Sequence, residues 1–260
     1  MKKWNPFPHD KAAFDYAGAS LKKHWPRLHR GDCEPFPEAE ALREAWRAFH
    51  RSDFQRAWEA GRALGPAGYA PACKSAATYA TYLERDARRA AALVHEAAGL
   101  CEKACVALPE HANSHYLLAY CLGRYAQKIS VTRALADGLA GRVKSALERA
   151  LELEPRHAEA HVASGTYHAE VIGKVGALLG GLTYGASESE ALAHYRKALK
   201  LHPDSAIVRL EYARGLLLID DSRKAEARKL LEPAAALEPA DASERLDIEH
   251  AQRRLEKLEA

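Results

Sequence analysis

The stretch ALKLHPDSA (Ala198–Ala206) decides the fold, because the chain repeats its pattern three more times. In each copy an Ala is followed, after four residues, by Pro, and after two more residues by a second Ala. The other copies are ACVALPEHA (Ala104–Ala112), ALELEPRHA (Ala150–Ala158) and AAALEPADA (Ala234–Ala242). Such self-similarity is typical of one supersecondary unit stacked on copies of itself. The chain is therefore predicted to be a repeat array with a concave binding face.

Each copy predicts a helix end followed by a helix start. The first Ala lies late in a helix, where a small side chain lets a neighbouring helix approach, and Pro then ends that helix. Ten residues after the Pro, three copies again carry a small residue, which indicates close helix contact: Ala119, Gly165 and Ala213. The fourth copy has Glu249 there. The array is therefore expected to end at that point, with the last helix as a cap.

The stretch EALAHYRKALKLHP (Glu190–Pro203) resembles the tetratricopeptide repeat (TPR) family, with Gly165 in the preceding helix in the family's order. A weaker copy runs through AWRAFHRSDFQRAWEAG (Ala45–Gly61), with a turn at Ser52–Phe54. The resemblance covers about residues 38–240. It implies an all-α solenoid of helical hairpins.

The middle repeats are longer than the standard TPR of about 34 residues. Pro109, Pro155 and Pro203 lie 46 and 48 residues apart, which places insertions near Arg124–Gly141 and Val171–Ser187. Hairpins with such inserts resemble the regulator of microtubule dynamics family and its bacterial relatives. That likeness rests on AYCLGRYAQKIS (119–130) and on residues 164–195. A TPR protein associated with TRAP transporters is a second relative, but it would need export.

Composition favours a cytoplasmic helical protein that binds no nucleic acid. The 260 residues are 48% hydrophobic and 28% charged, and the net charge of +3 is too small for a nucleic-acid partner. No apolar run follows Lys2 and Lys3, so we expect no secretory signal. The longest uncharged stretch, Val175–Ser187, is too short to cross a membrane. Five cysteines, an odd number, favour a reducing compartment.

Apolar periodicity predicts about a dozen helices in three segments. Residues 1–37 form an N-terminal helix and connector, 38–240 the TPR-like array, and 241–260 a capping helix. The predicted helix pairs are 38–50 with 53–64, 70–84 with 87–107, 111–128 with 132–153, 157–175 with 188–201, and 205–219 with 221–237. The last helix is predicted to bury Leu246, Ile248, Ala251, Leu255 and Leu258.

The N-terminal helix is predicted over Asp10–Leu28, with Asp10 as its N-cap. Its apolar stripe consists of Phe14, Ala17, Leu21, Trp25 and Leu28. This stripe is too apolar to remain in water, and the Gly31–Pro37 connector is short. The helix therefore either caps the first helix pair or lies in the groove as an internal mimic of a ligand. We favour capping, because repeat arrays need their open faces covered.

No motif indicates catalysis, a cofactor or a metal. His111 with His115, and His157 with His161, are spaced four apart but occupy equivalent helix starts, where structural or solvent-facing roles are common. Cys101 falls at a core position of the repeat, as Leu147, Tyr195 and Leu231 do. The glycine-rich stretch at 173–185 lacks the order of a phosphate loop and predicts a mobile loop, a close helix crossing or a binding lip. We therefore expect a protein that is not an enzyme.

The leading hypothesis is a scaffold that binds a peptide or protein partner, since in TPR proteins the first helix of each pair lines the concave groove. By repeat register, the groove candidates are Arg43, Trp46, His50, Lys74, Thr78, Tyr82, Tyr116, Tyr120, Arg124, Glu159, Thr166, Glu170 and Arg214. Only Lys74 and Arg43 lie near the positions of the family's carboxylate clamp, with no Asn beside them. A small-ligand carrier and a self-association module are the alternatives, and the chain is expected to be a monomer or homodimer.

Overall fold

The computed structural model describes residues 3–259, and this part of the chain contains fourteen α-helices, two short 3-10 helices and no strand. The all-α prediction is therefore confirmed. The helices, in chain order, are α1 (Ala19–Leu28), α2 (Glu40–His50), α3 (Phe54–Ala63), α4 (Tyr69–Tyr82), α5 (Ala87–Ala107), α6 (Ala112–Ala126), α7 (Val131–Ala136), α8 (Leu139–Leu153), α9 (Ala158–Val175), α10 (Ala177–Tyr184), α11 (Glu188–Leu201), α12 (Ala206–Ile219), α13 (Lys224–Ala235) and α14 (Ala242–Glu259).

Among the described residues, the first compact unit comprises 3–29, 33–154 and 241–243. It holds three hairpins: α2 with α3, α4 with α5, and α6 with α8. The first helices of successive hairpins pack side by side, α2 against α4 and α4 against α6. This is the arrangement by which a TPR array builds one continuous helix layer.

The described part of the second compact unit comprises residues 30–32, 155–240 and 244–259. Its hairpins are α9 with α11 and α12 with α13, and α9 packs against α12. The predicted stripe of α14 packs here: Ala251 belongs to the core of α12 and α13, with Leu255 and Leu258 beside it. The two units are defined by contacts in space. The division of the chain at residues 37 and 240 is drawn from the sequence repeat and stays a prediction.

The repeated phrase marks the core. The Ala at its first position is buried in all four copies, at Ala104, Ala150, Ala198 and Ala234. The core position predicted for Cys101 is also buried in each copy, at Cys101, Leu147, Tyr195 and Leu231. Equivalent positions of the four sequence copies are therefore buried in the same way.

Tyr195 lies between two glycines of neighbouring helices. A Cβ placed on Gly165 of α9 would lie 2.9 Å from two Tyr195 ring carbons, and one on Gly215 of α12 would lie 2.3 Å from its hydroxyl. The phenol is fully buried and stacks on Tyr212 with ring centroids 4.9 Å apart. Close approach at Gly165, predicted from the repeat, is made by this ring.

The junctions after the prolines share one set of hydrogen bonds. Six residues after each of three prolines, a side chain lies within hydrogen-bond distance of the proline carbonyl: His115 of Pro109 (2.9 Å), His161 of Pro155 (3.1 Å) and Arg209 of Pro203 (2.8 Å). Two residues after the proline, His157 and Ser205 cap α9 and α12 by accepting backbone N–H bonds. The paired histidines thus tie helix starts to the preceding turns.

Two predicted helices are interrupted. The single helix over Asp10–Leu28 is wrong: a 3-10 turn at Ala12–Phe14 precedes α1, and Gly18 between them has a φ of +55° that an α-helix cannot contain. Ala17 is consequently exposed. The helix over residues 132–153 is likewise divided into α7 and α8 by Gly138, whose φ is +63°.

Candidate functional site

The N-terminal segment docks on residues of α2 that were predicted to line the groove. Trp25 of α1 is buried and packs edge-on against Trp46, with ring centroids 6.0 Å apart, and against His50 at 6.2 Å. It also stacks on His29 at 3.9 Å and meets Phe36 edge-on at 5.2 Å. These contacts place α1 on the first helix pair, which both predicted placements, capping and groove occupation, require.

The connector after α1 is held by specific polar contacts in the first unit. The Trp25 indole N–H donates to the carbonyl of Glu34 (2.8 Å). The buried Glu34 carboxylate accepts a short hydrogen bond from the Asn113 amide and lies 3.3 Å from Nε2 of His111. Arg43 donates to the Pro37 carbonyl (3.1 Å) and its guanidinium carbon lies 5.9 Å from the Phe36 ring centroid. Residues 33–37 therefore lie along α2 and the start of α6.

The residues before α1 also bind α2, α3 and α4. Trp4 stacks on Tyr79 with centroids 4.1 Å apart, and its backbone N–H donates to the Gln55 side chain (2.9 Å). Lys11 pairs with Asp53 at 2.8 Å. Contacts at Trp4 and Lys11 thus tie the residues before α1 to the first unit.

Beneath α1, two histidines and an aspartate form a buried chain. His50 Nδ1 lies 2.7 Å from Oδ2 of Asp241, and His50 Nε2 lies 3.1 Å from Nε2 of His29. With a neutral His50, its Nδ1–H donates to the carboxylate and its Nε2 accepts from His29. Burial lowers the pKa of His50, and His29 and Lys74 act in the same direction, while Asp241 opposes them. With His50 neutral, these hydrogen bonds connect His29, at the end of α1, to α2.

This lowered pKa predicts that the protein loses stability in mild acid. As the pH falls below about 6.5, the unfolded chain takes up a proton at residue 50 that the folded chain does not, so the free energy of unfolding decreases. One such group contributes a slope of up to about 1.4 kcal/mol per pH unit. The free energy of unfolding should be measured by urea denaturation at several pH values between 7.5 and 5. It should decrease less steeply with falling pH in His50→Gln than in the wild type.

The matched control for that experiment is His95→Gln, because His95 is exposed on α5. His161 and His194 also have pKa values lowered by burial, so part of the slope should remain in both variants. Equal slopes for wild type and His50→Gln would contradict the prediction.

In the second unit, three predicted groove residues lie close together: Thr166, Glu170 and Arg214. The Arg214 guanidinium forms a close ion pair with Glu170 and a 2.8 Å pair with Glu211. Lys174 reaches Glu170 at 3.1 Å, and the Thr166 hydroxyl lies 3.4 Å from Glu211. Apart from the exposed Lys174, these side chains are buried or half-buried, and their charges are paired with one another.

The remaining predicted residues are distributed along the helices of the two units. In the first unit Tyr116 is buried and stacks on the half-buried Tyr120 at 5.8 Å, and the Arg124 guanidinium lies 5.1 Å from the Tyr120 ring centroid. Thr78 of α4 is buried, while Lys74 and Tyr82 are half-buried. In the second unit Glu159 is half-buried, and its backbone N–H donates to the carbonyl of Gly31 (2.9 Å).

Sequence reasoning anticipated that Trp25 docks on the array but missed four residues that contact the same region: His29, Glu34, Asn113 and Asp241. Asn113 precedes Tyr116 by three residues and Tyr120 by seven, so the helical period alone places it on the same face. Glu34 and Asp241 had no such signal, because their contacts join residues 79 and 191 positions apart.

A second histidine contact lies in the second unit. His161 Nδ1 and His194 Nδ1 are 2.9 Å apart, and the His168 ring stacks on His194 with centroids 6.0 Å apart. His161 Nε2 faces the Pro155 carbonyl, which leaves Nδ1 as the acceptor for His194. Within residues 3–259, no group of three or more His, Cys, Asp or Glu side chains is arranged to hold a metal ion.

Three of the cysteines meet in the core of the first unit. Cys73, Cys101 and Cys121 are fully buried on α4, α5 and α6, and hydrogen bonds link Cys101 to each of the other two. Burial raises the thiol pKa of Cys73 and Cys101, while the bond to Cys101 and burial together raise that of Cys121. Burial also raises the pKa of Cys105 to about 11. Neutral, buried thiols are poor nucleophiles.

Thiol labelling should therefore distinguish one cysteine from four. Cys33 is exposed, so a disulfide reagent such as DTNB at pH 7.5 is expected to react rapidly with one thiol per native chain and with five after denaturation. Cys33→Ser should remove the rapid phase, whereas Cys105→Ser should leave it intact. A second rapid thiol that is still present in Cys105→Ser would refute the buried packing of Cys73, Cys101 and Cys121.

The glycine-rich insert is folded as helix α10 and packs closely on α9. A Cβ on Gly180 would lie 3.1 Å from Val171, so a close helix crossing, one of the three predicted roles, is present. Leu178, Leu179 and Leu182 of α10 are exposed. Among the described helices, none is long and apolar enough for a membrane span.

Comparison with known families matches most of the chain. The profile of the family described as Regulator of microtubule dynamics protein 1-3 matches residues 69–259. The matched region begins at α4 and ends with α14. A search of curated proteins gave no match.

Two solved structures are similar to the chain. TTC0263, a thermophilic TPR protein of Thermus thermophilus, is 20% identical with a TM-score of 0.57, over 82% of this chain and 97% of that one. A monomeric IFIT1 mutant with Gppp-AAAA is 17% identical with a TM-score of 0.44, over 93% of this chain and 60% of that one. The first likeness shows a TPR-type helical solenoid.

Proposed function

Because the chain belongs to the Regulator of microtubule dynamics protein 1-3 family and folds as a TPR-like solenoid, we propose that it is a scaffold that binds an extended peptide segment of a protein partner. We further propose that it is not an enzyme and that it works in a reducing compartment, the cytoplasm. The five free thiols support that compartment.

One observation carries this proposal: the chain's own irregular segment 33–37 is held by the faces of α2 and α6. Arg43 donates to backbone carbonyls at Pro37 and Glu38, which are groups that every peptide carries. Asn113 and His111 meet a side-chain carboxylate, which gives selectivity. Arg is also one of the residue types that dominate binding hot spots, which supports a binding role for Arg43.

The test is a selection of ligands from a random peptide library displayed on phage. We expect enriched peptides whose dissociation constants rise about tenfold or more with Arg43→Ala or Asn113→Ala, the loss of one charge-assisted or buried hydrogen bond. Lys103→Ala is the matched control, because Lys103 is exposed on α5 in the same unit. Peptides insensitive to both groove variants, or no enrichment on any form of the chain, would refute the proposal.

A further inference from the structure

The connector between α1 and α2 contains a short sequence that combines an acidic residue, an aromatic residue and two prolines. Residues 34–37 read Glu-Pro-Phe-Pro. Each proline fixes its own φ near −65° and biases the residue before it toward an extended conformation. The segment is therefore extended before it binds, which lowers the entropic cost of docking.

Its acidic and aromatic side chains each meet a complementary group. The Glu34 carboxylate is buried against Asn113 and His111, and Phe36 lies between the edge of Trp25 and the guanidinium of Arg43. The Lys22 ammonium lies 5.6 Å from the centroid of the same Phe36 ring. An acid, an aromatic ring and the carbonyl of the following proline are thus recognised separately.

We propose that residues 34–37 are an intramolecular occupant of the peptide site, and that the partner is a protein segment with the same chemistry: an acidic residue followed by proline, an aromatic residue and proline. This inference rests on the proposed function. The partner segment binds by displacing the occupant, so the free chain is autoinhibited.

The energetics favour an occupant that can be exchanged. A tethered segment competes with an effective concentration in the millimolar range, which weakens apparent binding of a partner without blocking it. The indole Nε1 of Trp46, beneath the N-terminal segment, has no hydrogen-bond partner within the described residues. A buried donor left unpaired costs free energy, and an incoming segment that offers it an acceptor gains over the occupant.

The experiment measures binding of a defined probe to the full chain by fluorescence anisotropy. The probe is a fluorescein-labelled peptide GDSEPFPE, which is residues 31–38 with Cys33→Ser. The receptors are the wild type, Glu34→Ala/Phe36→Ala, the isosteric Glu34→Gln, and Lys103→Ala as the control. We expect the double variant to bind the probe at least about tenfold more tightly than the wild type, because its site is no longer occupied in cis.

Two further measurements tie that gain to this site. Adding Asn113→Ala to the double variant should remove most of the gain, and a probe with Ala in place of its Glu should bind at least about tenfold more weakly. Circular dichroism melts check that the variants fold. If the double variant is unfolded at the assay temperature, Glu34→Gln decides, with an expected gain of about threefold from the lost charge.

Equal affinity of the probe for wild type and Glu34→Gln, or a gain that survives Asn113→Ala, would overturn the inference. The library selection run on wild type and on the double variant separates the two proposals. Ligands that depend on Asn113 but lack the acid-proline-aromatic pattern keep the proposed function and reject this inference. An absence of ligands on both chains rejects the function itself.

Discussion

Trp25→Ala is expected to lower the free energy of unfolding of the first unit by about 3–5 kcal/mol, the range for removing a large buried aromatic side chain. Trp25 is 5% exposed and contacts four other rings, those of His29, Phe36, Trp46 and His50. Its indole also donates a buried hydrogen bond to the Glu34 carbonyl, and the variant loses that bond. Thermal melts should show a decrease of at least about 6 °C.

Two variants set the scale for Trp25→Ala. Trp25→Phe keeps a ring but loses the hydrogen bond, so it should fall between Trp25→Ala and the wild type. Lys23→Ala changes an exposed residue of the same helix and should be near neutral. Hydrogen exchange should also accelerate in α2 with Trp25→Ala. A wild-type melt and unchanged exchange would show that α1 does not stabilise α2.

Gly165→Leu is expected to destabilise the second unit by about 3 kcal/mol, the upper part of the range for overpacking a core. Even a methyl group at Gly165 would lie within 3.0 Å of three carbons of the Tyr195 ring. Retreat of that ring toward α12 is opposed, because the Tyr195 hydroxyl already fills the space beside Gly215 and lies 3.0 Å from the Thr166 hydroxyl. Chemical denaturation followed by circular dichroism measures the loss.

The control for Gly165→Leu is a helical glycine with open space around it. A Cβ on Gly141 of α8 would meet no atom within 4 Å, so Gly141→Ala should stabilise the protein by about 0.5–1 kcal/mol. Combining Gly165→Leu with Tyr195→Leu should cost less than the sum of the two single variants. Additive losses would mean that Tyr195 is not the group that Gly165 accommodates.

Helix ends were predictable where local chemistry sets them. The bounds predicted for α9 and α11 match within one residue, because a proline, a capping residue and an apolar period all act over a few positions. The division at Gly18 was not predictable from apolar spacing, since Phe14, Leu21 and Trp25 keep a helical period across it. The spacing of apolar residues does not depend on the backbone conformation of an intervening glycine.

The groove residues show the second limit. Repeat register placed Arg43, Trp46 and His50 on one face of α2, and the structure brings all three to the N-terminal segment. Register cannot reveal that Trp46 and His50 are buried, because the covering residues come from a segment outside the repeat. Whether the full predicted set lines one partner groove stays a prediction.

The bond from Glu34 to Asn113 joins residues 79 positions apart, which sets an order of events during synthesis. The occupant segment leaves the ribosome first, and at about 5–20 residues per second its receptor helix follows roughly 4–16 s later. During that interval Glu-Pro-Phe-Pro is available to any other molecule with a matching site, including an already finished copy of this chain. Under the autoinhibition proposed above, the nascent chain acts as a ligand before it folds into a closed receptor.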